Sequence, residues 1–345
     1  MNVLIIGGNG SIGKIIHHLL LNGNSNINVV IGSRNIRSKS KNQITIDVTK
    51  PDSFNVIKEN DINLILLCTS DKEDAILKYC ISNKIDYLDI TKPTNELELS
   101  HQFAYGKEIS SKIVFSSGWM SGIIGSLINW VEPDLSNVEK VSVFIYYSLK
   151  DLSGKSSVDF MAENISKPIK MYRNNKEYLT KYYLKSKSHI YSFNVGKRKT
   201  YLFDIPDTFI LNKFENIPTI ETRTTYNSKF IGWLLHVIQI TGVFRLFPLS
   251  LKKKMFASNG KGDKTAFEIV LKSKKKAQRI SLQNTTGQAQ LTAFATLLHI
   301  ERMLNSNLKD GIYFSHQIHD SRTFIENLLK MESIKIIKNE ENLNN

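Results

Sequence analysis

The sequence predicts an α/β fold: a doubly wound parallel sheet, with a second α+β domain inserted before the C-terminal helices. Three observations carry that prediction. A buried strand runs into a glycine-rich turn and then a helix at the start of the chain; apolar strands and helices go on alternating through the first third; and from about Val138 the pattern changes to alternating, strand-like runs.

The first strand is Val3-Leu4-Ile5-Ile6, the turn is Gly7-Gly8-Asn9-Gly10-Ser11-Ile12-Gly13, and the helix runs from Lys14 to Gly23. Gly8, Gly10 and Gly13 fit G-x-G-x-x-G, while Gly7, Gly10 and Gly13 fit G-x-x-G-x-x-G. Gly7 permits the tight turn, Gly10 has no side chain to block a phosphate, and Gly13 lets the helix pack closely on the sheet. Such a loop brings a pyrophosphate to the backbone, onto the N–H groups of Ser11, Ile12 and Gly13 at the helix N-terminus. The ligand class is a dinucleotide. A plain strand-turn-helix that uses glycine only for packing is the alternative, and the order of the three elements favours the phosphate reading.

The next strand, Ile27 to Ile31, ends in Gly32-Ser33-Arg34. An NAD site places Asp or Glu here to accept from the ribose 2′-hydroxyl, yet no acid stands from Gly23 to Gln43. Ser33, Arg34 and Arg37 instead offer a hydroxyl and two cations, the groups that hold a 2′-phosphate. Arg34 also reads as a solvated loop charge, but the pattern favours NADP over NAD.

Strands follow at Ile44 to Val48, Leu64 to Cys68, Tyr87 to Ile90 and Ile113 to Phe115. Helices lie between them, one opened by Pro51 in its first turn. Six strands with crossover helices make a Rossmann-type sheet, whose ligand lies outside the strand C-termini. That rule selects Asp47 and Val48, Cys68, Thr69 and Ser70, Thr91 and Lys92, and Ser116 to Gly118. The middle of the chain carries strand-like runs at Val141 to Tyr146, Ile190 to Phe193, Thr200 to Phe203 and Ala266 to Leu271, which predict an antiparallel sheet with helices on one side. The expected domains are 1–122, completed by 287–345, and 123–286. The end from Lys338 to Asn345 reads as a polar tail.

The 345 residues are enough for two domains with sizeable cores. Two cysteines, Cys68 and Cys80, with Cys68 in an apolar strand, predict a buried free thiol at least at Cys68 and a reducing cytoplasm rather than a disulfide or zinc framework. No charged-then-apolar leader precedes the first strand, so no cleaved signal peptide is expected. The net charge of +14 raises nucleic acid as a partner, but the lysines are dispersed and lack interleaved aromatics, so none is expected.

The chain resembles the saccharopine dehydrogenase-like NADP-binding proteins. The glycine loop, the Ser33-Arg34 strand end, Tyr87-Leu88-Asp89-Ile90-Thr91 after a Cys-bearing helix, and Ser116 to Gly122 as a glycine-rich turn opening a helix carry the resemblance. Gly311-Ile312-Tyr313 followed by Phe324 to Leu329 resembles the family's closing turn and helix, and the chain departs from the pattern at Met120-Ser121, where proline is usual. The resemblance implies that the middle segment forms the substrate wall and a dimer contact, and that the helix from Gln288 returns to the nucleotide domain.

The run Phe230 to Phe247 is long and apolar and precedes Lys252-Lys253-Lys254. A helix buried in the second domain or in a dimer interface is preferred; contact with a membrane surface is the alternative. A spanning helix is not expected, because His236, Gln239 and Arg245 are costly in hydrocarbon.

Chemistry beyond cofactor binding is sparse. Lys92 is the candidate proton donor or carboxylate anchor, with Tyr87 and Thr91 nearby, though each also reads as structural. Trp119 either stacks near the nicotinamide or fills the core. Arg173 and Arg223 are candidates to clamp a substrate carboxylate, against plain surface placement. His316 and His319 lack a third ligand in sequence and read as an exposed loop, so no metal is expected. The expected protein is a cytoplasmic, homodimeric NADP-dependent oxidoreductase acting on a small-molecule substrate at an imine, carbonyl or enoyl group. A non-catalytic NADP-binding sensor or scaffold is the reading from another class.

Overall fold

A computed structural model describes residues 1–23, 26–35, 42–258, 260, 262–305 and 307–342. The chain divides into two compact units, Met1–Ile123 with Ala289–Asp320, and Ile124–Gln288 with Ser321–Asn345. The first opens with β1 (Asn2–Ile6), α1 (Ser11–Gly23), β2 (Asn28–Ser33), β3 (Gln43–Thr45), α2 (Asn55–Glu59), β4 (Leu64–Leu67), α3 (Ala75–Asn83), β5 (Asp86–Asp89), α4 (Thr94–Tyr105) and β6 (Lys112–Phe115). After α5 (Ile123–Val131), the second unit carries β7 (Val138–Tyr147), α6 (Lys155–Asn164), β8 (Pro168–Arg173), β9 (Lys176–Lys181), β10 (Lys187–Tyr191), β11 (Gly196–Leu202) and α7 (Pro206–Lys213). It continues through β12 (Thr219–Tyr226), α8 (Lys229–Thr241), α9 (Leu249–Phe256), β13 (Thr265–Ser273) and β14 (Lys276–Asn284). The first unit is completed by α10 (Gln288–Leu304) and β15 (Gly311–Phe314), the second by α11 (Ser321–Leu328) and β16 (Ile334–Asn342).

The first unit is a parallel sheet ordered β15-β6-β5-β4-β1-β2-β3, so the chain reverses direction across the sheet at β1. The central strand β4, Leu64-Ile65-Leu66-Leu67, is apolar and buried along its whole length because both faces are covered. One face sets Val3, Ile5, Leu64, Leu66, Leu88 and Val114 against Ile16 and Leu20 of α1 and Ala293, Leu297 and Ile300 of α10. The alternate residues Leu4, Ile65 and Leu67 are fully buried as well. A seventh strand joins the six expected: Gly311–Phe314, read from sequence as a closing turn, pairs with β6 from Gly311 opposite Lys112 to Phe314 opposite Phe115. The third strand is shorter than expected and ends at Thr45.

The second unit is built on a mixed sheet ordered β10-β11-β12-β7-β13-β14-β16, with β8 beside β12 and β9 beside β8. The expectation of an antiparallel sheet fails at its centre, where β12 runs parallel to β7 from Thr219 opposite Lys140 to Tyr226 opposite Tyr147. The long excursion between those strands, through α6 and α7, makes a parallel return feasible. The expected boundary also needs correcting. The tail does not complete the nucleotide domain from residue 287 onward, because β16 pairs with β14 from Ile334 opposite Asn284 to Asn342 opposite Lys276.

The apolar run from Phe230 is not one buried helix. The hydroxyl of Ser228 caps α8 by accepting from the Ile231 N–H, and Gly242 ends it at φ +73°. Gly232, Leu235 and Gln239 face inward, while Phe230, Trp233 and Ile240 are exposed. Among the described residues, no helix is long and apolar enough to cross a membrane.

Candidate functional site

The C-terminal ends of β1 to β6 bring the glycine turn and the expected crevice residues to one edge of the sheet. Gly7 donates to the Gly32 carbonyl at 2.9 Å, Gly10 donates to the Gly7 carbonyl at 2.9 Å, and Lys14 to the Gly10 carbonyl at 3.0 Å, winding the turn directly into α1. Gly7 adopts φ +87°, and a Cβ there would lie 2.9 Å from the Cys68 carbonyl oxygen. At Gly13 a Cβ would lie 2.6 Å from the Gly7 oxygen and 2.7 Å from the Gly8 Cα. At Gly10 a Cβ would meet a single atom, the Gly7 oxygen at a tight 3.1 Å, and nothing else within 4 Å, so the side of Gly10 away from that oxygen is clear. The turn is therefore packed hard on its sheet side and open at Gly10, with the first N–H groups of α1 carried by Ser11, Ile12 and Gly13. This cradle fits a pyrophosphate.

Ser33 and Arg34 sit at the end of the neighbouring β2. The Asn9 amide donates to the Ser33 hydroxyl at 3.0 Å, which joins the glycine turn to that strand end. Arg34 is exposed. Asp47, beyond β3, is held below the usual carboxylate range chiefly by the Thr49 N–H and hydroxyl, which donate to it at 3.0 and 2.8 Å, with a contribution from the Arg34 charge. Asp47, Val48, Cys68 and Thr69 are half-buried and Ser70 is exposed. The Cys68 thiol is pushed up by burial, so it remains protonated. Arg37 lies outside the described residues.

The end of β5 differs from what the sequence suggests. Lys92 and Tyr87, expected to handle protons, are fully enclosed. Lys92 Nζ donates to the Asp71 carbonyl at 2.7 Å and to Asp74 Oδ1 at 2.5 Å, and lies 4.0 Å from Asp89 Oδ2. The Tyr87 hydroxyl donates to Asp89 Oδ2 at 2.7 Å, while Thr91 donates to Asp89 Oδ1 through both its N–H and its hydroxyl, each at 2.7 Å. Burial drives both the Asp89 carboxyl and the Tyr87 phenol up in pKa. Neither Lys92 nor Tyr87 has surface to offer a substrate, so both serve as supports. Half-buried Glu96, in the first turn of α4, is the acid that sequence reading passed over; burial raises its pKa. Its only sequence signal is a glutamate three residues after Pro93 at a helix start.

Beyond β6, Met120, Ser121 and Gly122 adopt left-handed φ values of +48°, +53° and +68° in succession. For the two residues with side chains this costs roughly 1–2 kcal/mol each. A buried hydroxyl set holds the turn, with Ser121 Oγ 3.2 Å from Ser116 Oγ and 3.0 Å from Thr296 Oγ1. His299 of α10 fixes its backbone. The Ser121 carbonyl can only accept, so His299 Nε2 carries the hydrogen of their 2.9 Å bond, and Nδ1 accepts from His319 Nε2 at 2.7 Å. Burial holds His299 neutral, its pKa down to about 4, and pushes His319 down as well. His316 and His319 are thus not an exposed loop: His316 is buried and His319 half-buried. Trp119 is buried and fills the core.

The two arginines proposed as a clamp lie in the second unit. Arg173 is exposed with its guanidinium over the Tyr178 ring, 5.6 Å from the centroid. Arg223 is buried and donates to Glu221, to the Lys185 carbonyl and, at 3.3 Å, to the Thr200 carbonyl. These bonds occupy the buried guanidinium of Arg223, which leaves no fork for a substrate carboxylate. Among the described residues no group of three or more His, Cys, Asp or Glu is arranged to hold a metal ion.

A parallel sheet that reverses at β1, with a glycine cradle at that point, defines a Rossmann-type dinucleotide-binding protein. Residues 3–112 match the family described as saccharopine dehydrogenase NADP binding domain, so this segment is similar to the NADP-binding domain of the saccharopine dehydrogenase-like proteins, and its cofactor is NADP. The whole fold is similar to apo saccharopine dehydrogenase (L-Glu forming) from Saccharomyces cerevisiae, at 12% identity and TM-score 0.67 over 99% of each chain. A dipicolinate-bound dihydrodipicolinate reductase from Paenisporosarcina sp. TG-14 aligns at 12% identity and TM-score 0.46, over 92% of this chain and 99% of that one. No curated protein sequence matches.

Proposed function

We propose that the protein is an NADP-dependent oxidoreductase that transfers hydride between NADP(H) and a small metabolite, at an imine, carbonyl or enoyl group. The observation that carries this reading is the pairing of the open glycine cradle with an exposed Arg34 at an acid-free strand end. In this reading the N–H groups of Ser11, Ile12 and Gly13 hold the pyrophosphate, and Ser33 and Arg34 hold the 2′-phosphate. Asp47, Val48, Cys68, Thr69, Ser70 and Thr91 line the crevice. NADP, when bound, supplies the hydride donor or acceptor. The chain must then move a proton, and half-buried Glu96 in the first turn of α4, whose carboxyl burial pushes up in pKa, is the group we assign to it.

The test is NADPH oxidation by the purified protein in a screen of 2-oxo acids with amino acids, simple ketones and enals. Turnover with one of these classes is expected. Glu96→Gln should then lower kcat by about a hundredfold or more with NADPH affinity unchanged. Tight NADPH binding without turnover anywhere in the screen would instead assign the protein as a non-catalytic NADP sensor.

A further inference from the structure

The second unit carries an exposed apolar face that nucleotide binding leaves unexplained. On α8, Phe230 is 62% exposed, Trp233 49% and Ile240 63%, and Leu246, just beyond the helix, is 81% exposed. At 3.6 residues per turn Phe230, Trp233 and Ile240 fall within an arc of roughly 80°. The Phe230 and Trp233 rings lie 5.8 Å apart, so they form one protrusion. An open cleft of about 520 Å³ extends the face from Ile240 to Leu179 and Leu184, beside Lys181 and Lys185.

Charge decides what this face meets. Lys229 at the start of α8, Arg245 next to Leu246 and Lys254 on the following helix are exposed, and no Asp or Glu occurs between Glu221 and Asp263. Lys253 is partly neutralised by Asp159 at 2.6 Å, but the other three have no such partner among the described residues. A second copy would bring an identical cationic rim against this one, and like charges facing each other oppose self-association. Anionic headgroups satisfy the same rim, while Phe, Trp, Ile and Leu side chains enter the acyl boundary. We propose that this face docks the protein onto an anionic lipid bilayer, with the α8 arc inserted and the lysines and arginine on the headgroups. The docking is peripheral, since α8 has only 13 residues.

The full-length protein should co-sediment with vesicles of phosphatidylcholine containing phosphatidylglycerol. It should bind pure phosphatidylcholine at least about tenfold more weakly, with added salt reducing the difference. Trp233 emission should move to shorter wavelength on the anionic vesicles. The double substitution Phe230→Ser with Ile240→Ser should weaken vesicle binding about tenfold or more per side chain. NADPH titration of the same variant, expected unchanged, separates this outcome from misfolding. Failure to sediment with anionic vesicles at low salt would overturn the proposal, as would equal binding by the double variant. A dimer that the double variant dissolves would assign the face to a second copy, and retention on an acidic protein without vesicle binding would assign it to that partner.

Discussion

Lys92→Met is expected to lower stability by about 3–5 kcal/mol, the cost of removing one partner from a buried ion pair. The ammonium reaches Asp74 at 2.5 Å and the Asp71 carbonyl at 2.7 Å, and its charge is the main influence opposing the burial of Asp89. Methionine fills much of the volume but leaves Asp89 enclosed with no cation. The loss should depend on pH in a definite direction. Without Lys92 the folded-state pKa of Asp89 moves further above its unfolded value. The folded state then takes up the proton more readily, so the variant is closest to the parent at acid pH and loses ground as pH rises. Chemical denaturation at several pH values checks this. A deficit below about 1 kcal/mol at neutral pH would mean that the hydrogen bonds from Tyr87 and Thr91 alone sustain the carboxylate.

Gly13→Ala should disable the cofactor site while sparing most of the fold. The added methyl would stand 2.6 Å from the Gly7 oxygen and 2.7 Å from the Gly8 Cα, both backbone atoms that cannot swing aside. Either the turn moves away from α1 or the helix lifts from the sheet. Overpacking of this kind costs about 1–3 kcal/mol, so NADPH affinity should fall by roughly tenfold to a hundredfold. Gly106→Ala, where no atom comes closer than 3.8 Å, serves as the control and should bind NADPH like the parent. Parent-like binding by Gly13→Ala would mean that the turn is not the pyrophosphate cradle.

The nucleotide half of the molecule was readable in sequence because its signals are local. The strand, the glycine turn and the helix follow one another within a few residues, and the acid-free end of β2 is visible as composition. The support network around Lys92 was not readable, because its partners come from 18 and 21 residues earlier. A lysine three residues beyond a crevice strand looks the same whether it faces substrate or an aspartate. The left-handed turn at Met120 and Ser121 depends on His299, 178 residues after Ser121, and local propensity opposes it. The polar tail misled for another reason. β16 is the outer strand of its sheet, and edge strands carry charges such as Lys338, Glu340 and Glu341 that imitate an unstructured end. The parallel pairing of β7 with β12 likewise leaves no trace in either strand's own alternation.

The account rests on the cradle and Arg34 together selecting the phosphorylated cofactor. The measurement that tests it most directly is the titration of NADPH and NADH against the parent protein and Arg34→Glu. The parent should bind NADPH more tightly, and the variant should lose about tenfold or more for NADPH, the worth of a charge-assisted contact, while NADH affinity stays nearly constant. An equal loss for both cofactors, or no preference in the parent, would contradict the assignment of Arg34 to the 2′-phosphate.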